Sequence, residues 1–246
     1  MAYSPAIVVD QVSKAFTLPH ERIVTLKGAL LKALRGRSGK DTFVALKGVS
    51  FSVQPGEVLG IIGANGSGKS TLLSMIARIY LPTSGQVTTR GRVCALLGLG
   101  AGMNPELSGR DNVFLNAALY GLRRQQVEAR YSAIADFSEL GDFMLAPMRT
   151  YSSGMFTRLA FAVAVHLDPD ILLLDEVLAV GDEHFSRKCS EKLVEIRSSG
   201  ATIVLVSHQL RQVAQLCPRA IWLHHGEMMM DGPTDQVAEA YVSKCG

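Results

Sequence analysis

Several things are scarce in this chain, and each scarcity removes a class of answer. Lysine and arginine outnumber acidic residues by only enough to leave a net charge of +3, which is too little to argue for nucleic acid as a partner. The four cysteines, Cys94, Cys189, Cys217 and Cys245, are scattered without C-x-x-C spacing. That pattern points to reduced thiols and away from a disulfide framework or a zinc site. The longest apolar run, around Leu159 to Val165, falls far short of the roughly 18 residues that read as a membrane span. The opening Met1-Ala2-Tyr3-Ser4-Pro5 carries neither the basic nor the apolar region of a signal peptide. No internal repeat, low-complexity tract or second domain is visible. A 48% hydrophobic content with 19% charged residues fits a globular chain, and 246 residues suffice for one α/β domain with subdomains.

What is present begins with Gly63-Ala64-Asn65-Gly66-Ser67-Gly68-Lys69-Ser70-Thr71, directly after the apolar run Val58 to Ile62. This is G-x-x-x-x-G-K-S between a strand and the helix-forming Thr71 to Ala77, the pattern of a phosphate-binding loop. Glycines let successive backbone N–H groups turn inward around phosphate oxygens, and the following helix adds its positive end. Lys69 can reach the β- and γ-phosphates, and the Ser70 hydroxyl can ligate Mg²⁺. The loop predicts binding of a nucleoside triphosphate.

Around it, Ala6 to Val12 and Ala45 to Val53 read as strands, with Gln54-Pro55-Gly56-Glu57 a turn. Between them, Leu26, Leu30 and Leu34 recur every four residues beside Lys27, Lys32, Arg35 and Arg37, predicting a short basic amphipathic helix at about 25–37. It either packs on its own domain with a solvated basic face or rests near an anionic membrane surface or membrane subunit. Ser108 to Phe143 has helical texture and predicts a helical insertion between two parts of an α/β core. A helix over Phe156 to Leu167 follows, then a buried strand Ile171 to Glu176, a strand Ala201 to His208, and a closing hairpin and helix from Ile221 onward.

The apolar run into Asp175-Glu176 puts two carboxylates at the C-terminal end of a buried strand, the edge of an open α/β sheet where ligands bind. In phosphate-loop enzymes the first such carboxylate holds Mg²⁺, and the second can take a proton from the attacking water or orient it. Asp182 follows six residues past Glu176, and His208 ends the next strand, where an imidazole could bond a γ-phosphate oxygen. A lone histidine at a strand end is more often structural than catalytic.

Taken in order, the phosphate loop, the helical insertion, Tyr151-Ser152-Ser153-Gly154-Met155, Ile171 to Glu176, Val180-Gly181-Asp182 and Ser207-His208 resemble the nucleotide-binding subunit of an ABC transporter. The resemblance runs from about Ile7 to Val242. It implies an ABC ATPase fold: a phosphate-loop α/β core with an antiparallel β subdomain and a helical subdomain at about 103–165. It implies ATP and Mg²⁺ as ligands, with Ser70 and Asp175 at the metal, Glu176 as catalytic base, His208 as the switch histidine and Asp182 in the D-loop. Tyr151 to Met155 takes the signature position, which in this family contacts the γ-phosphate held by another subunit. Two copies would therefore face each other head to tail around two ATPs, on two copies of a polytopic transmembrane permease, at the cytoplasmic side of the inner membrane.

The departures narrow the resemblance. The family signature is Leu-Ser-Gly-Gly-Gln, of which only Ser152 and Gly154 survive, and the Gln usual at the start of the helical insertion is missing from Leu97 to Arg110. Gln86 and Gln125 lie outside that motif. Tyr-Ser-Ser-Gly-Met, the Gly100-Ala101-Gly102 stretch before Pro105-Glu106-Leu107, and a basic helix ahead of Ala45-Leu46-Lys47 resemble the branch that exports O-antigen, capsular polysaccharide or teichoic acid. The branch implies a lipid-linked polysaccharide as substrate and a membrane-subunit interface for the basic helix. A C-terminal carbohydrate-binding domain, present in some members, is not expected after Cys245-Gly246. Another exported substrate, or a soluble ABC ATPase without a transporter, are the alternatives. For the adenine the family places an aromatic after the first strand, which implies Phe16, with Phe43 as fallback.

Overall fold

The computed structural model describes residues 4–17, 42–97, 102–175 and 182–245. The expected basic helix at 25–37, Gly98–Ala101 and Glu176 lie outside the described residues. Among the described residues no helix is long and apolar enough to cross a membrane.

Strands β1 (Ile7–Thr17), β2 (Thr42–Val53) and β4 (Ser84–Thr89) form an antiparallel sheet in the order β2-β1-β4. Thr17 pairs with Thr42, so the chain leaves β1 and re-enters β2 at neighbouring positions. The second sheet runs β5-β6-β7-β3-β8-β9, where β3 is Val58–Ile62, β5 Val93–Leu96, β6 Ile171–Asp175, β7 Thr202–Val206, β8 Arg219–His224 and β9 Glu227–Pro233. All of its pairings are parallel except the β8–β9 hairpin. Apart from Thr202 and Asp175 at strand ends, its central strands carry no polar side chain, because both faces are covered, as in parallel sheets generally. Val58, Ile62, Leu172, Leu174, Ile203 and Leu205 join one core with the helices. Leu59, Ile61, Ile171, Leu173, Val204 and Val206 join the other, against the antiparallel sheet and α1 (Lys69–Ile76).

On the first face lie α2 (Gly109–Leu119), α3 (Arg124–Ser138), two 3₁₀ turns (Gly141–Leu145 and Met148–Thr150) and α4 (Ser153–Val165). The expected helical insertion is made of several pieces, the first two separated at Gly121 with φ 81°. Helix α4 begins three residues earlier than its apolar pattern suggests, because the Ser152 hydroxyl accepts from the Met155 N–H and caps it. Helices α5 (Glu183–Ser198), α6 (Leu210–Leu216) and α7 (Thr234–Cys245) complete the chain. Cys94, Cys189 and Cys217 are buried and unbridged, and burial pushes each thiol up to about 12. They are packing groups, far from the thiolate form that reacts.

Candidate functional site

The site is assembled at the C-terminal ends of three neighbouring strands, β6, β7 and β3. Asp175 pairs with Val206, and Ile61 pairs with Val206 from the other side, so the three strand ends are level. The phosphate loop starts two residues beyond Ile61, and His208 stands two residues beyond Val206. Strand β7 stops short of the expected His208. The Ser207 hydroxyl accepts from the Gln209 N–H and donates to Gln212, a local turn that leaves the ladder and carries His208 into an exposed position.

The loop's glycines are required by contact as well as by conformation. Gly63 has φ 149°, and a Cβ there would lie 2.2 Å from the Leu223 carbonyl oxygen. Gly68, at φ 106°, would meet the Ala45 carbonyl oxygen at 2.7 Å. The loop is braced from below by the β8–β9 turn, where Gly226 N–H donates to the Ser67 carbonyl (3.0 Å) and the Lys47 N–H donates to the Gly226 carbonyl (2.9 Å). Lys69, 6% exposed, donates from Nζ to the carbonyls of Gly63 (2.8 Å) and Ala64 (2.9 Å), which aims its charge back over the loop.

A cleft of about 430 Å³ opens here. Asn65, Gly66, Gly68, Lys69, Ser70, Thr71 and Asp175 line it, with Phe43 and Ala45 of β2 forming the remaining wall. Loop N–H groups, an ammonium and the N-terminus of α1 converge on this space, an arrangement suited to polyphosphate. The Ser70 hydroxyl and the Asp175 carboxylate share the cleft, and hard oxygen donors of this kind suit Mg²⁺. Of the two aromatic candidates, Phe43 lines the cleft and is 52% exposed. Phe16 is its cross-strand partner, but its ring lies edge-on to Tyr80 at 5.6 Å with the Lys14 ammonium 5.1 Å from it.

The Tyr151–Met155 segment lies at the N-terminus of α4. Ser152 and Ser153 are exposed there, and Gly154 is half-buried. Tyr151 turns inward: its hydroxyl donates to the Phe143 carbonyl at 2.6 Å and occupies the place a Cβ on Gly109 would take. The turn before α2, where the family Gln is missing, is held by buried Asn112. Its side-chain amide donates to the carbonyls of Asn104, Leu107 and Ser108 and accepts from the Asn104 N–H. Asn116 adds a bond to the Gly102 carbonyl. Sequence reasoning passed over both asparagines; their spacing of four on an otherwise apolar helix face was the available signal. Asp182 caps α5 by accepting from the Phe185 N–H at 2.9 Å, and this bond with the nearby Arg158 guanidinium holds its carboxyl below the usual range.

Comparison with known proteins agrees with this geometry. A family model described as ABC transporter matches residues 46–179. The chain is 48% identical over 242 residues to an O-antigen export system ATP-binding protein of Myxococcus xanthus, covering 96% of this chain and 55% of that protein. It is 42% identical over 243 residues to an O-antigen export system ATP-binding protein of Klebsiella pneumoniae, covering 96% and 97% of the two chains. A teichoic acids export ATP-binding protein of Listeria innocua is 41% identical, with 96% of this chain and 69% of that protein covered. In fold, the chain matches a dimeric ATP-binding cassette in a post-hydrolysis state with ADP and Pi, at a TM-score of 0.74 and 22% identity over 93% of this chain and 98% of that one. With the family model matching more than half of its length, and the phosphate loop, Asp175 and His208 gathered at one sheet edge, the chain belongs to the ABC transporter family as an ATP-binding subunit.

Proposed function

We propose that the chain hydrolyses ATP to drive export of a lipid-linked polysaccharide of the O-antigen type. It works as a head-to-tail pair beneath two copies of a membrane-spanning permease, at the cytoplasmic side of the inner membrane. The observation that supports the catalytic part is that Lys69, Ser70 and Asp175 line one cleft at the level ends of β3, β6 and β7, with His208 two residues beyond the end of β7. Support for the substrate comes from the names of the relatives, which export O-antigen or teichoic acid.

Each residue has a task in this reading. Loop N–H groups and Lys69 hold the β- and γ-phosphates, and Phe43 stacks on the adenine from the β2 wall. Ser70 and Asp175 would hold Mg²⁺, which when bound neutralises phosphate charge. Glu176, next to Asp175 in the chain, accepts the proton of the attacking water, and His208 bonds the γ-phosphate. The exposed hydroxyls of Ser152 and Ser153 and the N-terminus of α4 close over the γ-phosphate held by the partner copy. The basic helix at about 25–37 meets the permease.

Replacing Glu176 by Gln tests the base. ATP turnover by the purified chain falls by about 10² to 10⁴, while nucleotide binding persists; near wild-type turnover removes Glu176 from the mechanism. The substrate is tested by deleting the gene. Loss of surface polysaccharide with accumulation of its lipid-linked precursor inside the cell is expected. Intact surface polysaccharide with loss of another exported compound points to a different cargo. Recovery of the native protein with ribosomes alone, and never with membranes, overturns the transporter role.

A further inference from the structure

Beneath the phosphate loop, three stretches of backbone from distant parts of the chain meet, and three close contacts between them fall at glycines. A Cβ on Gly63 of the loop would lie 2.2 Å from the Leu223 carbonyl oxygen of β8. One on Gly68 would lie 2.7 Å from the Ala45 carbonyl oxygen of β2. One on Gly226, in the β8–β9 turn, would meet that same Ala45 oxygen at 2.7 Å and the Leu46 Cα at 3.2 Å. The obstructing atoms are backbone, so they cannot rotate out of the way of a side chain. Gly63 and Gly68 belong to the loop's own sequence pattern. Gly226 belongs to none of the motifs that mark the site.

Gly226, which is buried, also holds the junction by polar bonds. Its N–H donates to the Ser67 carbonyl at 3.0 Å, and its carbonyl accepts from the Lys47 N–H at 2.9 Å. One residue thus grips the loop with one backbone group and β2 with the other. The loop gives Asn65, Gly66 and Gly68 to the cleft, and β2 gives Phe43 and Ala45 to its wall. In a trans peptide unit the C=O and the N–H point in opposite directions. Drawing the Ser67 carbonyl down to the turn therefore faces the Gly68 N–H the other way, toward the side on which the cleft lies.

The turn that presents Gly226 is conformationally demanding. His224 and Glu227 are paired, so only His225 and Gly226 close the hairpin. Both have positive φ, 48° and 83°, as a type I′ turn requires. The Lys47–Glu227 ion pair beside it has side chains 46% and 56% exposed, and a pair so open to solvent adds little. Backbone geometry, and not charge, makes the bracket.

We infer that Gly226 is a positioning residue for the nucleotide cleft, fixing the phosphate loop and the β2 wall relative to each other before a ligand arrives. This role presupposes that the cleft holds the nucleotide, as proposed above, and it adds a residue outside the cleft lining. Preorganised N–H groups bind without first having to be ordered. Loosening the bracket should cost affinity and leave the chemistry of seated ATP largely intact.

The test uses the full purified chain. Binding is followed by isothermal titration with ADP, which is not turned over, and turnover is followed against ATP concentration. In Gly226→Ala the new methyl forces loop and wall apart. Kd and KM should rise at least about tenfold while kcat stays within about threefold. Partial unfolding would instead lower kcat at unchanged KM, so the split separates positioning from loss of folded protein. His225→Val and His225→Asn both keep Gly226 and both lose the ring contact with His224 at 4.3 Å. Valine is strained at positive φ, and asparagine is favoured there. Kd should be at least about threefold weaker in His225→Val than in His225→Asn, with the Asn variant matching the wild type. Glu227→Gln breaks the exposed ion pair, keeps the backbone bonds and should match the wild type in every readout.

Wild-type Kd and KM in Gly226→Ala overturn the inference, as does a fall in kcat beyond about threefold, which places the effect in the chemical step. Should Gly226→Ala fail to fold, the two His225 variants decide, and equal Kd in both overturns it. If the wild-type chain itself binds no ADP, the nucleotide reading of the cleft fails, and the role of Gly226 with it.

Discussion

At the scale of single residues, position in the sheet sets two chemically equal candidates apart. Phe16 and Phe43 are directly opposed on neighbouring strands, yet only Phe43 borders the phosphate loop. Base stacking on an aromatic contributes about 1–3 kcal/mol, and a half-exposed ring falls at the low end. Phe43→Ala should therefore weaken ATP binding roughly fivefold, measured by isothermal titration, with Phe16→Ala nearly silent. The reverse pattern would return the base to Phe16. His166 offers a second residue-scale prediction. Burial holds its imidazole below the usual range, opposed by the bond from Nδ1 to the Ala162 carbonyl at 2.7 Å. With the folded value below the unfolded value of about 6.5, the unfolded chain binds more protons in between. Stability from neutral His166 is therefore present above about pH 6.5 and lost as the pH falls below it. Denaturant midpoints at about pH 7.5 and 5.5 should differ less in His166→Gln than in the wild type.

At the scale of elements, α4 carries a buried face and an exposed end with different duties. Phe161 is fully buried between the rings of Phe137, 6.0 Å away, and Phe185, 6.4 Å away. Phe161→Ala should cost about 3–5 kcal/mol and lower Tm by roughly 10 °C in a thermal scan. A change within about 2 °C would mean that the neighbouring rings collapse into the space. Much at this scale was legible in advance. The apolar runs of β3, β6 and β7, the Gln54 to Glu57 turn and the closing hairpin follow from local patterning. Element ends were less legible. Strand β7 ends where the Ser207 hydroxyl offers the backbone another partner, and α4 begins where Ser152 does the same.

At the scale of the whole molecule, the phosphate loop joins the two sheets. It continues β3 of the six-stranded sheet, while Gly226 and Lys47 connect its underside to β2 of the other. Arg219 adds a second tie, donating to Asp231 through two bonds and to Glu57 and the Ser52 carbonyl. The cleft is walled by Phe43 and Ala45 of one sheet and Asp175 of the other, so a ligand held there would touch both. ATP with Mg²⁺ at a hundredfold excess over Kd should add about 2.7 kcal/mol to unfolding free energy. That is a rise in Tm of roughly 5–10 °C. No shift for wild type, or an equal shift in a Lys69→Ala variant, would contradict the assignment of the cleft.

The sequence by itself determined the features whose physics is local. A run of N–H groups turned inward by Gly63, Gly66 and Gly68 needs nothing beyond nine consecutive residues and a helix after them. Asp175 at a strand end is as self-contained, since the apolar run before it already specifies a buried parallel strand. Tertiary structure alone decided which side chains share a space. That Phe43 and not Phe16 lines the cleft depends on the β1–β2 register, and the inward turn of Tyr151 depends on a glycine 42 residues earlier, at Gly109. The grip of Arg158 on Glu139 and Asp182 spans separations of 19 and 24 residues. Such contacts form between groups brought together by packing of the whole core, and no local pattern encodes that distance.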